Sequence, residues 1–323
     1  MNVALTKSRL SNALRCYAAY ALSHCGSVHF AFMPLFVSVE PSALCQLHCP
    51  ECPVGMNGSK RNIADNEKYM SKEVWQRILT EIAPTAFTIQ FYFQGEPLLN
   101  NNLPQMIEDA HKQGLYTIVS TNAQAMTQEL AEALLQAGLS RIIISMDGLT
   151  DQTYNAYRVG GNLNKCKQAL HWLREAKERL KASTVIELQC LRLRTNEHEW
   201  KQFKKEYKSL GADRLVFKTA QLYDYANGNP LMPSQSKFSR YIKGKDGLFH
   251  RKNFNGVCSR VYRGCVIITT GDVLPCCYDK SHAHAYGNIM NAHMRELFCN
   301  DKAWAFRQAA AKEIPAICKQ CWR

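Results

Sequence analysis

Residues 45–52 read CQLHCPEC, and this short stretch decides how the rest of the chain is interpreted. Cys45, Cys49 and Cys52 are separated by three and then by two residues. Three thiolates on one loop can hold three irons of a 4Fe–4S cubane and leave the fourth iron open to a small molecule. Zinc is the alternative, with His48 as a fourth ligand. The spacing by itself leaves both possibilities open.

The segments around this loop alternate between short β-branched or aromatic runs and amphipathic stretches. Such alternation is typical of right-handed βαβ units around a parallel sheet. We therefore predict an α/β fold with a partial (β/α)6 parallel barrel, because six strands are too few for a closed eight-stranded barrel. The predicted strands are Leu35–Glu40, Phe87–Phe93, Tyr116–Ser120, Arg141–Met146, Thr184–Leu191 and Arg214–Lys218. The predicted helices are Ser71–Ala83, Leu103–Gln113, Thr127–Ala137, Leu163–Leu180 and Glu197–Leu210.

Polar residues follow the ends of several predicted strands. Each of them alone has an ordinary explanation, such as a turn, a helix cap or a surface charge. Because the carboxyl ends of parallel strands meet at one edge of a sheet, we expect these residues to form one ligand-binding rim. The predicted rim consists of Gln94, Gly95, Glu96, Ser120, Asn122, Ser145, Asp147 and Arg158.

The bulk composition excludes some classes of protein. No apolar run approaches the length of a membrane span, and the N-terminus lacks a clean signal peptide. Fourteen cysteines without an export signal favour metal or cluster ligation over disulfides, and a cytoplasmic location. The formal charge of +13 suggests nucleic acid, but basic residues alternate with acidic ones, as in residues 175–179. That pattern is typical of a solvated helix face, so we expect no nucleic-acid partner.

The cysteines concentrate toward the two ends of the chain. Cys258 precedes Gly271 by twelve intervening residues, Cys276 follows after four more, and Cys318 and Cys321 form a CxxC pair. A hairpin predicted at residues 266–275 and a helix around Met294–Ala311 can bring these thiols together into a closed four-thiolate site, for zinc or for a cluster. The remaining isolated cysteines are predicted to be small buried hydrophobes: Cys16, Cys25, Cys166, Cys190 and Cys299.

Composition and spacing also suggest three domains. Leu10, Leu14, Tyr17 and Ala21 recur at helical spacing, which predicts a helix packed on the main domain. An Asn-, Gly- and Pro-rich stretch at residues 223–233 is typical of a linker. The predicted division is an N-terminal helical segment at 1–33, the barrel at 34–222 and a small α+β iron–sulfur domain at 223–323.

The cysteine loop and the rim together resemble the radical S-adenosylmethionine (SAM) superfamily, whose signature is this three-cysteine spacing after the first barrel strand. Residues 94–97, QGEP, are similar to the family's GGEP motif. The resemblance implies that Gly95 lets the backbone approach SAM and that Glu96 and neighbouring carbonyls receive its ammonium. It also implies that Arg158 clamps the carboxylate bidentately. One departure is Glu51, which stands where the family often has an aromatic residue. The resemblance further assigns Ser120, Asn122 and Ser145 to the SAM carboxylate and ribose hydroxyls.

The C-terminal thiols look like the SPASM/twitch extension of this superfamily, which holds an auxiliary 4Fe–4S cluster. Because the sequence stops at Arg323, we expect one auxiliary cluster only. The implied ligands are Cys258, Cys276, Cys318 and Cys321, with Cys265 and Cys277 as the main rivals. Asp279 follows these thiols and is the candidate for a base that takes a substrate proton.

The resemblance predicts reductive cleavage of SAM to a 5′-deoxyadenosyl radical, which abstracts hydrogen from a peptide or protein side chain, or from a small alcohol or sugar. A reducing partner such as flavodoxin or ferredoxin is implied. Two other classes remain as alternatives. One is a zinc-containing nucleic-acid-binding protein, and the other is a non-catalytic iron–sulfur scaffold.

Overall fold

The structure is a computed structural model that describes residues 3–23, 30–57, 63–252, 258–312 and 315–321. Its α-helices are α1 Lys7–Leu22, α2 Pro53–Asn57, α3 Lys72–Ile82, α4 Leu103–Lys112, α5 Gln128–Gln136, α6 Asp151–Asn155, α7 Leu163–Leu180, α8 Trp200–Glu206, α9 Arg260–Arg263, α10 Met294–Cys299, α11 Asp301–Lys312 and α12 Ala316–Gln320. Its strands are β1 Phe36–Val39, β2 Thr88–Phe91, β3 Tyr116–Thr121, β4 Arg141–Ser145, β5 Val185–Arg192, β6 Arg214–Thr219, β7 Tyr241–Lys243, β8 Phe249–Arg251, β9 Gly264–Ile267, β10 Asp272–Leu274 and β11 Gly287–Asn288.

The six predicted strands form one parallel sheet in chain order, from β1 to β6. Each lies within two residues of its predicted bounds. The partial (β/α)6 barrel is therefore confirmed. Its helices begin where polar caps stand: Ser71 accepts the Val74 amide at the start of α3, and Thr127 accepts the Leu130 amide at the start of α5. The strand ends consequently face one rim, as predicted.

The C-terminal strands extend the barrel sheet beyond β1. β9 pairs in parallel with β1, and β10 pairs antiparallel with β9, which confirms the predicted hairpin. Among the described residues, the sheet has nine strands with β11 at its edge, while β7 and β8 form a separate hairpin. The hairpin that leads to Cys276 is therefore an extension of the sheet whose first strand leads into the first cysteine loop.

The N-terminal helix exists, but the predicted apolar face is wrong. Leu10, Leu14 and Tyr17 are exposed, and Arg9 is fully buried instead. The Arg9 guanidinium donates to four backbone carbonyls, those of Ala4, Ala83, Gln113 and Gly114. Three of these carbonyls follow α3 and α4. Charged hydrogen bonds to them therefore orient α1 more strongly than burial of its leucines does.

Two further helices differ from their predicted extents. The predicted helix around Met294–Ala311 is broken into α10 and α11 at Asn300, whose side-chain oxygen accepts the Ala303 amide and starts a new helix. The predicted helix Glu197–Leu210 begins as a 3-10 turn at Arg194–Glu199 and ends its α-helical part at Glu206. No described helix combines the length and apolarity needed to cross a membrane.

Helix α11 is anchored by an enclosed guanidinium. Arg307 is fully buried, and its central carbon lies 4.5–5.9 Å from five aromatic ring centres. Its Nε donates to the Val261 carbonyl, and its two terminal nitrogens have no hydrogen-bond partner among the described residues. The rings therefore supply most of its stabilisation.

We expect Arg307→Lys to lower the free energy of unfolding by about 2 kcal/mol, because an ammonium keeps the charge but loses the planar stacking. Chemical denaturation followed by far-UV circular dichroism measures the change. Arg179→Lys is the control, since Arg179 is an exposed partner of Glu132 and such pairs contribute at most about 1 kcal/mol. Equal losses in both variants would contradict the proposed role of the rings.

Candidate functional site

The first cysteine loop is packed tightly against the second strand end. The Glu96 amide donates to the Leu44 carbonyl over 2.7 Å. A Cβ on Gly95 would lie 2.0 Å from the Ser42 carbonyl oxygen, a distance that no side chain can adopt. The sequence predicted that Gly95 lets the backbone approach SAM. In the structure, the absence of a side chain at Gly95 lets the segment that leads into the cysteine loop pack against the end of β2.

Glu96 joins two neighbouring strand ends through its carboxylate. One oxygen accepts the Thr121 hydroxyl at 2.5 Å and the Leu98 amide at 3.1 Å, and the other accepts the Asn122 amide at 2.8 Å. Burial raises the pKa of Glu96, and these donors oppose that rise. The Glu96 carboxylate, which was predicted to receive the SAM ammonium, therefore also links the ends of β2 and β3.

Two rim residues reach the cysteine sulfurs. The Asn122 side-chain amide lies 3.5 Å from Cys45 Sγ, and Arg158 Nη1 lies 4.0 Å from Cys49 Sγ. Burial raises the pKa of the Cys49 thiol, and the Arg158 guanidinium opposes that rise. Both contacts favour the thiolate form that a metal requires.

Arg158 is held by Asp147. Arg158 Nε donates to one carboxylate oxygen of the fully buried Asp147 at 2.6 Å, and the Leu191 amide donates to the other at 2.6 Å. Burial opposes the charge on Arg158, but Asp147 and Cys49 outweigh it, so its pKa is raised. Arg158 is not a surface charge, and its orientation is set by a neighbouring strand end.

The remaining rim residues occupy comparable positions. Ser120 on β3 pairs with Ile143 on β4, and Ser145 stands two residues after Ile143. Because side chains two residues apart in a strand point to the same side, both serines are on the same face of the sheet. The Gln94 side chain donates to the Lys280 carbonyl at 2.9 Å and so joins the rim to the C-terminal region. Glu51 accepts the Tyr223 amide and the Asn229 side chain, which ties the cysteine loop to the predicted linker.

A second group of thiols lies at the C-terminal edge. Burial raises the pKa of Cys276 to about 12, and three thiols near enough to add to this rise are Cys277, Cys318 and Cys321. Cys265 lies apart: it is buried beside Arg307, and burial raises its pKa. Cys258 is buried in the main core, which Cys318 also contacts. In the part of the chain that is described, no three His, Cys, Asp or Glu side chains converge on a position for a single metal ion.

Asp279, the candidate base, is engaged by the backbone of its own loop. It is fully buried, and its two carboxylate oxygens accept the Ala283 amide at 3.0 Å and the His284 amide at 2.9 Å. These bonds fold the loop that follows the thiols. A carboxylate so engaged stabilises the loop in this structure.

The isolated cysteines are mostly buried, as predicted. Cys16, Cys166 and Cys190 have no exposed surface, Cys299 is half-buried, and Cys25 lies outside the described residues.

The comparisons with known proteins agree with this geometry. Residues 39–188 match the family model of the radical SAM superfamily, and residues 258–322 match that of an iron–sulfur cluster-binding domain, SPASM. A PqqA peptide cyclase of Bradyrhizobium diazoefficiens is 30% identical over 304 residues, which cover 86% of this chain and 74% of that protein. The chain belongs to the radical SAM superfamily.

Solved structures of this superfamily share the fold. anSMEcpe with bound AdoMet and the Cp18Cys peptide has a TM-score of 0.62 at 21% identity, covering 89% of this chain and 86% of that one. Streptococcus suis SuiB bound to its precursor peptide SuiA has a TM-score of 0.63 at 15% identity, covering 92% and 71%. At these identities the likeness concerns the fold alone.

Membership of the radical SAM superfamily establishes the cofactors: a 4Fe–4S cluster, SAM and auxiliary iron–sulfur binding in the SPASM region. The first cysteine loop fits such a cluster, because its sulfurs are met by an amide and a guanidinium that favour thiolates. The zinc and scaffold alternatives are not favoured.

The sequence did not reveal Lys280 or Gly55. The Lys280 ammonium lies 4.3 Å from the Phe93 ring centre, and burial lowers its pKa, while Cys277 and Cys52 oppose that change. The Lys280 amine thus lies near thiols of both groups in this radical SAM enzyme. A Cβ on Gly55 would lie 2.5 Å from the Cys49 backbone, so Gly55 lets α2 pack on the cysteine loop.

We expect Gly95→Ala to abolish iron binding at the first loop and to lower the free energy of unfolding by about 3 kcal/mol, because its Cβ meets backbone atoms that cannot move aside. Iron content and urea unfolding measure the two effects. Gly247→Ala is the control, because its Cβ would meet nothing within 4 Å. Its left-handed backbone alone should lower the free energy of unfolding, by about 1 kcal/mol. Normal iron binding by Gly95→Ala would show that the loop tolerates the contact.

The iron-free protein is expected to lose stability above about pH 9. Burial raises the pKa of Cys45 and of Cys276 from 9.0 to about 12. A thiol with a raised folded-state pKa favours the folded state below its unfolded pKa, and this contribution is lost as the pH climbs toward the folded value. Urea unfolding across this range measures the loss. In the double variant Cys45→Ala/Cys276→Ala, the free energy of unfolding should fall less steeply with pH. An equally steep fall would show that these two thiols are not its cause.

Proposed function

We propose that this chain modifies a peptide or protein side chain by radical chemistry. When bound, the first cluster and SAM supply the 5′-deoxyadenosyl radical that takes a hydrogen atom from the substrate. The observation that carries the proposal is the single sheet in which β1, which leads into the Cys45–Cys52 loop, pairs with β9, whose hairpin partner β10 leads to Cys276. The peptide assignment is supported by the relative named as a PqqA peptide cyclase and by the two peptide-bound structures of similar fold.

Each site residue has a proposed role. Cys45, Cys49 and Cys52 hold the first cluster. Arg158 binds the SAM carboxylate, and Asp147 keeps the guanidinium charged and aimed at the rim. Backbone carbonyls near Gly95 accept hydrogen bonds from the SAM amine. The proposed polar contacts to the rest of SAM are Gln94, Glu96, Ser120, Asn122 and Ser145.

The auxiliary site is proposed to use Cys258, Cys276, Cys318 and Cys321. Cys277 remains a rival because it lies near Cys321 as well as Cys276. Asp279 remains the proposed base only if the loop Asp279–His284 opens to release its carboxylate. We further propose that a flavodoxin or ferredoxin supplies the electron and that the enzyme works in the cytoplasm.

The test is anaerobic reconstitution with iron and sulfide, followed by addition of dithionite and SAM. Formation of 5′-deoxyadenosine reports SAM cleavage. Short peptides encoded beside the gene are then added, and mass spectrometry scores the loss of hydrogen atoms from the peptide. A set of amino sugars and alcohols serves as the comparison. Oxidation of a sugar with no change in any peptide would overturn the peptide assignment.

A further inference from the structure

A basic pocket lies outside the barrel, at the end of β5. Its volume is about 480 Å³. Of the residues that the structure describes, four cationic side chains and one carboxylate line it. The carboxylate, Glu197, already accepts the Ser234 amide and hydroxyl. The cations are Arg192, Lys201, Lys204 and Lys237. Gathering like charges around a cavity raises the local concentration of anions.

Arg192 is the fixed cation of this pocket. Its central carbon lies 4.1 Å from the Phe238 ring centre, 5.1 Å from that of Phe217 and 5.3 Å from that of Trp200. Its Nε is buried and has no hydrogen-bond partner among the described residues. Aromatic packing thus restrains the guanidinium, and its two terminal nitrogens, which donate to no described residue, are left for a ligand. A planar guanidinium is suited to bidentate recognition of an oxyanion.

The pocket adjoins the rim of the candidate site. Leu191, the residue before Arg192, donates its amide to Asp147, which in turn holds Arg158. Asn196, on the following turn, donates to the Asp147 and Leu191 carbonyls. A chain seated in the pocket therefore lies beside the strand ends.

We propose that this pocket binds the carboxylates of an acidic peptide segment, with Arg192 as its anchor. The cations stand on three separate elements, namely β5, α8 and the turn at Ser236–Phe238. Donors spread in this way suit several carboxylates along an extended chain, whereas one phosphate is best held by donors that converge on a point. The proposal rests on the peptide substrate proposed above. Binding is measured without turnover, so the two can fail separately.

The experiment uses the reconstituted full-length enzyme and fluorescein-labelled hexaglutamate, with hexaglutamine as the neutral probe and fluorescence anisotropy as the readout. We expect K201E/K204E to weaken hexaglutamate binding at least about tenfold. K205E/K208E is the matched control, because it makes the same charge change on and just beyond α8 at residues that do not line the pocket. The control should change binding by less than about twofold.

R192K tests the anchor. It keeps the charge but loses the bidentate fork, so binding should fall while 5′-deoxyadenosine formation without peptide stays unchanged. Equal weakening by K201E/K204E and K205E/K208E would show diffuse attraction to a basic protein and overturn the proposal. Binding of hexaglutamine as tight as hexaglutamate would overturn it too. Binding of inorganic phosphate without binding of hexaglutamate would likewise overturn it, and would identify a small-oxyanion site.

Discussion

Cys49→Ala is expected to abolish SAM cleavage. Three thiolates leave no spare ligand, so the loss of one releases an iron and the cluster with it. The rate of SAM cleavage should fall by more than the roughly 100-fold seen when a residue that hydrogen-bonds to a metal ligand is removed. Cys49 is the most informative of the three, because its sulfur lies 4.0 Å from the Arg158 guanidinium. Iron content and the rate of 5′-deoxyadenosine formation after anaerobic reconstitution measure the effect.

Cys190→Ala is the matched control for this prediction. Cys190 is fully buried in the apolar core of the same barrel, and its sulfur exchanges weak hydrogen bonds with the Leu191 carbonyl and the Asn196 side chain. Its removal should therefore cost packing and these bonds, but no proposed cluster ligand. It should retain iron and SAM cleavage. If Cys49→Ala keeps its cluster and its activity, the first loop does not ligate the cluster as proposed, and the assignment of Cys45 and Cys52 falls with it.

Cys276→Ala is expected to eliminate the auxiliary cluster, whereas Cys277→Ala retains it. Cys276 is mostly enclosed and lies near both Cys318 and Cys321. Cys277 also lies near Cys321, but the groups near it include the amines of Lys218 on β6 and of Lys280, and it packs against the apolar cluster of Val266, Ile268 and Leu274. The measurement is the electron paramagnetic resonance signal of reduced protein in which Cys45, Cys49 and Cys52 are replaced by alanine, so that only the auxiliary cluster contributes.

The reverse result is equally informative. Retention of the signal in Cys276→Ala with its loss in Cys277→Ala would move the ligand to Cys277. Equal loss of iron in both variants would contradict the proposal that Cys276 ligates the cluster and Cys277 does not. Cys265→Ala should leave the signal intact, because that thiol is buried beside Arg307 in the core.

Much of the barrel could be predicted because its signals are local. β-branched runs separated by amphipathic stretches define strands and helices within a few residues of sequence, and parallel pairing then brings the strand ends to one rim. The α1 helix shows the limit of this reasoning. Its leucine stripe predicts one buried face, but Arg9 turns the helix to reach carbonyls as distant as Gly114. A contact between residues 105 positions apart leaves no periodic signal.

By itself, the sequence predicted the six parallel strands, the three-cysteine loop after the first of them and the polar residues of the rim, because each depends on residue types at short, regular spacing. Only the tertiary structure decided which donors each polar group meets. It engages Glu96 with Thr121 and Asn122, buries Asp279 against its own loop, and directs Arg158 toward Cys49 through Asp147. The physical reason is that a buried charge must find its partners in space, and strand pairing and loop closure bring those partners together irrespective of sequence distance.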